Sequence, residues 1–221
     1  MSSVTEQAAP SLSTSRRLAM LVIGYVPLFQ VIVSIALFFF TPVPLLHRAL
    51  AFVAWLYLVP PLCSRMAAVV PGTYTANDPP FLGWWWSQQW QTLFNRLPLL
   101  EEVLRILPSV YSLWLRLWGS RIGSLVYWGP GVSIVDRGLI DVGDSVVFGA
   151  GVRIGAHLFA NDELLIARVK VESRAVVGAY SILAPGVVIG EGESTPAALL
   201  LPPHSEWRGE QRVKRRSKNA V

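Results

Sequence analysis

The spacing of apolar residues changes character three times along the chain. From Leu18 to Phe40 (LAMLVIGYVPLFQVIVSIALFFF) 23 residues pass without a charge, long enough as a helix to cross a bilayer core of about 30 Å. Pro27 predicts a kink, which lipid-embedded helices tolerate. Thr41-Pro42-Val43-Pro44 follows where a secretory signal would carry small residues for cleavage, so the helix is read as retained. A second apolar stretch, Leu50 to about Val70, is interrupted by Pro60-Pro61 and Arg65. With the short link between them, the two predict an antiparallel transmembrane hairpin over 18–70, after a flexible N-terminus at 1–17.

Residues 71–120 are of another kind. They hold six of the nine tryptophans, and Pro98 and Pro108 divide them into short helices. Leu99, Leu100, Val103, Leu104 and Leu107 share one helical face, with Glu101, Glu102 and Arg105 off it. Tryptophan favours the headgroup level and such amphipathic pieces lie in the interface plane, so this segment is read as an interfacial helical linker.

From Ile122 the period becomes six. Ile122-Gly123, Trp128-Gly129 and Ile134 step by six; after a slip of two residues come Val142-Gly143, Phe148-Gly149 and Ile154-Gly155. After a longer break, Val171, Val177, Leu183 and Ile189 step by six again. A chain that turns a corner every six residues lays short strands on the walls of a triangular prism, aliphatic side chains inward and small residues at the turns. Three hexapeptides close a coil, so 121–192 predicts about four stacked coils. A sandwich with turn signals every 8–12 residues does not fit this spacing.

Composition supports the division. Hydrophobic residues are 52% of the chain and charged residues 15%, against roughly 25% charged in an average soluble domain. The net charge of +5 sits at one end. From Arg208 six cations (Arg208, Arg212, Lys214, Arg215, Arg216, Lys218) face one anion, Glu210, which accounts for all of it. Residues 193–221 are thus read as an end cap and a basic tail beside an anionic leaflet, and nucleic acid is set aside for want of a basic stripe with interleaved aromatics. Arg16 and Arg17 before the first helix and Arg65 after the second favour both ends, and with them the repeat domain, in the cytoplasm. A single cysteine, Cys63, excludes a disulfide framework.

GVRIGAHLF and SILAPGVVIGEG resemble the hexapeptide-repeat transferases, the left-handed parallel β-helix acyltransferases, over residues 122–192, with a weaker echo to Gly209. The membrane hairpin joined to such a domain also has a distant similarity to the C-terminal region of polylysine-synthetase-like peptide synthetases. The resemblance implies a left-handed coil, a homotrimer, and acyl transfer from acyl-CoA or an acyl- or peptidyl-carrier thioester, with no tightly bound cofactor. The acceptor would be a hydroxyl or amine, membrane-associated because the domain is anchored there.

The break between Ile154 and Val171 means that HLFANDELLIARVK leaves the coil as a loop. In the family such a loop shapes the active site beside a basic histidine, which points to His157, whose imidazole can take a proton at neutral pH. Asp162 and Asn161 are the local candidates to orient its ring. Asp136 and Arg137, about one coil earlier, would stack beneath the loop only if the two-residue slip keeps register. Donor contacts are expected at Gly178 and Ser181 along the coil and at Trp207 and Arg208, where Trp207-Arg208-Gly209 begins a family-like ending from which Glu210-Gln211 departs. A zinc site of the related trimeric carbonic anhydrases needs three histidines, and outside the membrane half there are only His157 and His204, so no metal is assigned. The competing reading is a non-catalytic trimeric β-helix scaffold, favoured if His157 lies buried between coils.

Overall fold

In the computed structural model the described residues are 12–107 and 109–214. Two apolar helices, α1 (Thr14–Gly24) and α2 (Val26–Phe39), meet end to end at Tyr25, with Pro27 in the first turn of α2. They run as one 26-residue apolar rod, and α3 (Leu45–Ser64) packs back along it. Pro60 and Pro61 do not interrupt the second helix as the sequence suggested; both are buried inside α3, which ends at Ser64 rather than near Val70. Both rods are long and apolar enough to cross a membrane.

A strand then appears where only helix was expected. β1 (Gly72–Thr75) precedes α4 (Pro79–Arg96), α5 (Leu99–Arg105) and α6 (Val110–Leu117). Four of the six tryptophans of this segment are buried in a core, and Trp85 and Trp86 are half-buried against it. Trp84, Trp90, Trp114 and Trp118 are 2–5% exposed, packed with Phe94 and Tyr111 between the hairpin and the repeat domain. Each ring removes a large apolar area from water, and a cluster of them helps to join the helical half to the repeat domain. α5 is inverted: Glu101 is 3% exposed, whereas Leu99 and Ile106 are 73% and 75% exposed.

The repeat domain is a three-walled prism. Coil one is β2 (Arg121–Ile122), β3 (Tyr127–Trp128) and β4 (Ser133–Ile134); coil two is β5 (Ile140–Val142), β6 (Val147–Phe148) and β7 (Arg153–Ile154). The chain then leaves as a hairpin, β8 (His157–Ala160) and β9 (Glu163–Ile166). Coil three is β10 (Val169–Val171), β11 (Val176–Val177) and β12 (Ile182–Leu183). Coil four is β13 (Val188–Ile189), a single bridge from Val176 to Ser194, and β14 (Leu200–Leu201). β15 (Ser205–Arg208) and β16 (Gln211–Lys214) form an antiparallel hairpin on the last turn. The walls are parallel ladders, β2-β5-β10-β13-β15, β3-β6-β11 and β4-β7-β12-β14.

Register explains the pattern. Ile134, Ile154, Leu183 and Leu201 stack as one inward column; Trp128, Phe148 and Val177 make another, with Trp128 and Phe148 stacked face to face at 4.6 Å. The corners leave no room for a side chain: a Cβ on Gly123 would lie 2.5 Å from the Gly143 carbonyl one coil away. The prism also runs further than residue 192. Leu201 is wholly buried in the fourth coil, and Trp207 pairs in parallel with Ile189. The assigned tail begins as a strand too, since Arg212 lies in β16 opposite Trp207; residues 215–221, which carry Arg215, Arg216 and Lys218, lie outside the described residues.

Candidate functional site

The loop predicted from the broken repeat is a tight hairpin. HLFA and ELLI pair in register, His157 with Ile166 and Ala160 with Glu163. Asn161 and Asp162 are the two residues between them, with φ of 51° and 62°. A two-residue turn with both central residues at positive φ matches the twist of a hairpin, and Asn and Asp tolerate that backbone better than most residues. β1 adds to the other edge of β9, pairing Gly72 with Ile166 and Thr75 with Glu163. The excursion is therefore a three-stranded sheet, β1-β9-β8, joining the helical half to the prism.

Asn161 and Asp162 thus shape the far tip and are distant in the hairpin register from His157, which stands at its base. The carboxylate on the imidazole is that of Asp136, from the turn after β4. Its two oxygens lie 2.8 and 2.9 Å from His157 Nδ1. Asp136 is 2% exposed and well held. The Ala156 N–H donates to Oδ2 at 2.8 Å, and the Gln88 side-chain amide of α4 donates to Oδ1. A carboxylate accepts only, so it requires a proton on Nδ1, and in the neutral tautomer the lone pair then sits on Nε2. The ring lies edge-on to Trp84, centroids 4.9 Å apart, and the side chain keeps 21% of its surface open.

Arg137 turns the other way and is 1% exposed. Its guanidinium binds Glu101 through Nε at 2.9 Å and again through a terminal nitrogen, and Nη1 donates to Asn95 Oδ1 at 2.8 Å and Gln91 Oε1 at 3.2 Å. Glu101 also holds Arg105, at 2.8 Å, and the Tyr111 hydroxyl. Burial first, and the Glu101 charge second, push the Tyr111 phenol well above its ordinary value, so it stays a donor. Asp136 and Arg137, adjacent in sequence, are thus both spent on the helical half, one through Gln88 and one through Glu101.

The residues expected at a donor site are spread along the prism. Ser181 is fully buried, its hydroxyl 3.3 Å from both the Pro196 carbonyl and the Leu199 N–H, so it holds coils together and offers nothing outward. The Gly178 N–H donates to Thr195 Oγ1 at 2.9 Å, and a Cβ there would meet the Pro196 carbonyl. Trp207, 8% exposed, gives its indole N–H to Ser194 O at 3.1 Å and covers the end of the axis. Arg208 is exposed and bonded to Glu206 at 2.7 Å. None of the four lies in the hairpin with His157. The residues the sequence did not supply are Gln88, Trp84 and Glu101. The one readable signal was Asp136-Arg137, two charges inside an aliphatic repeat.

Beside Asp136 and Trp84 opens a cavity of about 240 Å³, walled by the end of α3, by α4 and by the first prism turns, with Arg65 and Arg168 among its lining.

Several solved structures align with parts of this chain. A hexapeptide-repeat acetyltransferase from Vibrio cholerae is 17% identical, over 58% of this chain and 92% of its own, with a TM-score of 0.41. A galactoside acetyltransferase in complex with coenzyme A is 16% identical over 58% of this chain and 91% of its own, TM-score 0.32. A maltose O-acetyltransferase from Clostridium difficile is 13% identical over 68% and 95%, TM-score 0.30. No family model matches the sequence, and no curated protein does.

Proposed function

We propose that this protein is a membrane-anchored acyltransferase that moves an acyl group from a CoA or carrier-protein thioester to a hydroxyl or amine on a membrane-associated acceptor. The observation that carries the reading is the His157–Asp136 pair at the base of the hairpin, 2.8 Å apart and partly open. A histidine serving only to tie coils together would be expected inside the stack, not on an excursion from it.

In the proposed reaction the acceptor O–H or N–H gives its proton to His157 Nε2 as the oxygen or nitrogen attacks the thioester carbonyl. The tetrahedral intermediate collapses, the C–S bond breaks, and the proton passes from the imidazolium to the departing thiolate. Asp136 is a positioning residue: it fixes the tautomer and balances the imidazolium charge as it forms. Transfer is direct. Asn161 and Asp162 are assigned to the shape of the hairpin tip, Gly178 and Ser181 to the packing of the coils, and a donor contact is kept only for the exposed Arg208, through a neighbouring copy of the chain.

The two apolar rods are read as spans. Their outward side chains are long and apolar, Leu21, Phe29, Leu45 and Leu50 being 51–68% exposed. The Arg16 side chain donates to the Asp78 carbonyl at the start of α4; the cations Arg16, Arg17 and Arg65 at the ends of the rods support a cytoplasmic prism by the positive-inside bias. A homotrimer suits the outer walls, where Tyr127, Val147 and Val176 form an exposed apolar stripe on one face and Ile182 and Leu200 another.

The test is His157→Ala in nanodiscs, following acyl-CoA-dependent acylation of total lipid by mass spectrometry. Loss of at least about 10²-fold with the fold intact is expected, the low end of a general-base contribution. Activity within a few-fold of the parent protein removes His157 from the chemistry. Asp136→Asn should lower kcat and leave KM nearly unchanged.

A further inference from the structure

The cavity beside Asp136 has walls made of donors. Trp84 and Trp118 line it, are 4% and 2% exposed, and their indole Nε1–H groups find no acceptor among the described residues. Trp90, away from the cavity, also has an unpartnered N–H, whereas Trp86 and Trp114 donate to the carbonyls of Cys63 at 2.7 Å and Tyr57 at 2.9 Å. An indole N–H can only donate, and a buried donor without a partner is costly. The other polar groups of the wall are spent on each other: the Ser64 and Ser87 hydroxyls pair at 2.8 Å, Gln91 donates to Ser87 Oγ at 3.1 Å, and the Asp136 oxygens are taken by His157, Gln88 and Ala156. Arg65 and Arg168 bring two cations to the wall, with Asp136 on the cavity and Asp141 already paired to Arg168. Arg168 keeps 37% of its side chain exposed while bonded to Asp141 at 2.9 Å.

We infer that this cavity binds the oxyanion head of a ligand, a phosphate or a group of the same charge, with the indoles of Trp84 and Trp118 donating to its oxygens and Arg65 and Arg168 balancing its charge. At about 240 Å³ it is below the roughly 300–1,000 Å³ of pockets that enclose drug-sized molecules. It therefore suits a head group and not a whole CoA. The wall includes Ser64 and Arg65, at the end of an apolar helix, and Trp84, whose ring touches His157. Through Trp84 and Asp136, which both wall the cavity and touch His157, the anion site and the imidazole share two residues. That this ligand is the acyl acceptor rests on the acyl-transfer reading; that an anion binds does not.

The test uses the full protein in phosphatidylcholine nanodiscs with ¹⁵N-labelled indoles. Trp84→Phe and Trp118→Phe assign the two N–H signals. Phosphatidic acid is added to the bilayer in one arm and glycerol 3-phosphate to the buffer in another, with diacylglycerol and glycerol as neutral controls. The Trp84 and Trp118 signals should move together and saturate, while those of Trp86 and Trp114 stay in place. Movement with phosphatidic acid alone identifies a lipid head, and movement with glycerol 3-phosphate a soluble anion. Arg65→Gln with Arg168→Gln should weaken binding about tenfold, comparable to losing one charge-assisted hydrogen bond. No movement in either charged arm, or equal movement with the neutral controls, overturns the site. Transfer assayed in the same nanodiscs separates the two proposals: shifts in a parent protein that transfers no acyl group sink the acyltransferase alone, and transfer without shifts sinks the anion site alone.

Discussion

The prism and the helical half obey opposite rules about where apolar residues go. In the prism Phe148, Ile154, Leu183 and Ile189 point at the axis and are 0–1% exposed. In the helices Leu45, Leu46 and Leu50 are 60–68% exposed, and the residues the rods hide include Gln30 and Ser64. α5 carries the inversion up to the seam, burying Glu101 beneath exposed Leu99 and Ile106. One chain thus carries two patterns: the first sequesters carbon from water, and the second presents carbon outward and keeps polar groups such as Gln30 and Ser64 inside, which supports the proposed lipid-facing reading of the rods. The polar groups meet at the seam between them, where Gln88, Asp136 and His157 form one chain of contacts and Glu101, Arg137 and Tyr111 another.

The same substitution made in each half sharpens the contrast most. Phe148→Ala removes a ring at 0% exposure that stacks on Trp128, and should destabilise the protein by about 3–5 kcal/mol. Phe29→Ala, at 51% exposure on α2, should move the melting midpoint in detergent little, within about 0.5 kcal/mol. Comparable losses would mean that the outer face of α2 is packed against protein and that the lipid-facing reading of the rods is wrong.

The next comparison sets a seam ion pair against a surface one. Glu101 and Arg137 have 4% and 1% of their side chains exposed. Glu101→Ala strands Arg137 and should cost about 3–5 kcal/mol. Arg174 and Glu191, across a coil edge at 2.7 Å, are 69% and 54% exposed, and Arg174→Ala should cost under about 1 kcal/mol. Thermal unfolding of both variants in the same detergent checks the ratio; equal costs would show that water reaches the seam.

These contrasts also mark what the sequence could announce. Six-residue spacing is a property of neighbours along the chain, so the inward columns of Ile122 to Ile189 could be read directly, and the length missing between Ile154 and Val171 required an excursion. Its form is legible too, in Asn161-Asp162 between HLFA and ELLI, a pair that suits a two-residue hairpin turn. What was not legible lies between distant segments. β1 joins β9 across about ninety residues, and Gln88 reaches Asp136 across 48 positions. Alternation favouring a strand is too short in GTYT to declare itself. The tryptophans misled because their type suits both a headgroup belt and a packed seam. The orienting carboxylate was sought within the loop, whereas stacking coils brings together residues about twenty apart, as with Asp136 and His157. Beyond Ile189 the six-residue step persists at Thr195, Leu201 and Trp207, but the polar Thr195 in the column and the apolar run from Ala197 to Leu201 mask it.

The smallest effect expected lies on the outside of the prism and depends on pH. At one corner Asp144 Oδ1 accepts from the Ser124 backbone N–H at 2.7 Å and from the Ser124 hydroxyl at 2.8 Å, tying coil two to coil one. These bonds, the backbone one first, hold the Asp144 carboxyl below its usual range. A carboxyl whose folded value is depressed stabilises the fold fully above its unfolded value, near 3.9, and loses that contribution as pH falls through the lower folded value. Asp144→Asn has no such charge to lose. The mutant should therefore melt slightly below the parent protein near pH 6, and the gap should close as the buffer is taken below about pH 3. Glu172 and Glu193, whose carboxyls are also held low by hydrogen bonds, titrate in both proteins and cancel in the difference. The effect should be modest because the group is exposed and water competes for it. A gap that widens on acidification would mean that the neutral carboxyl is the bonded form, and that this corner is fastened by something other than the charge.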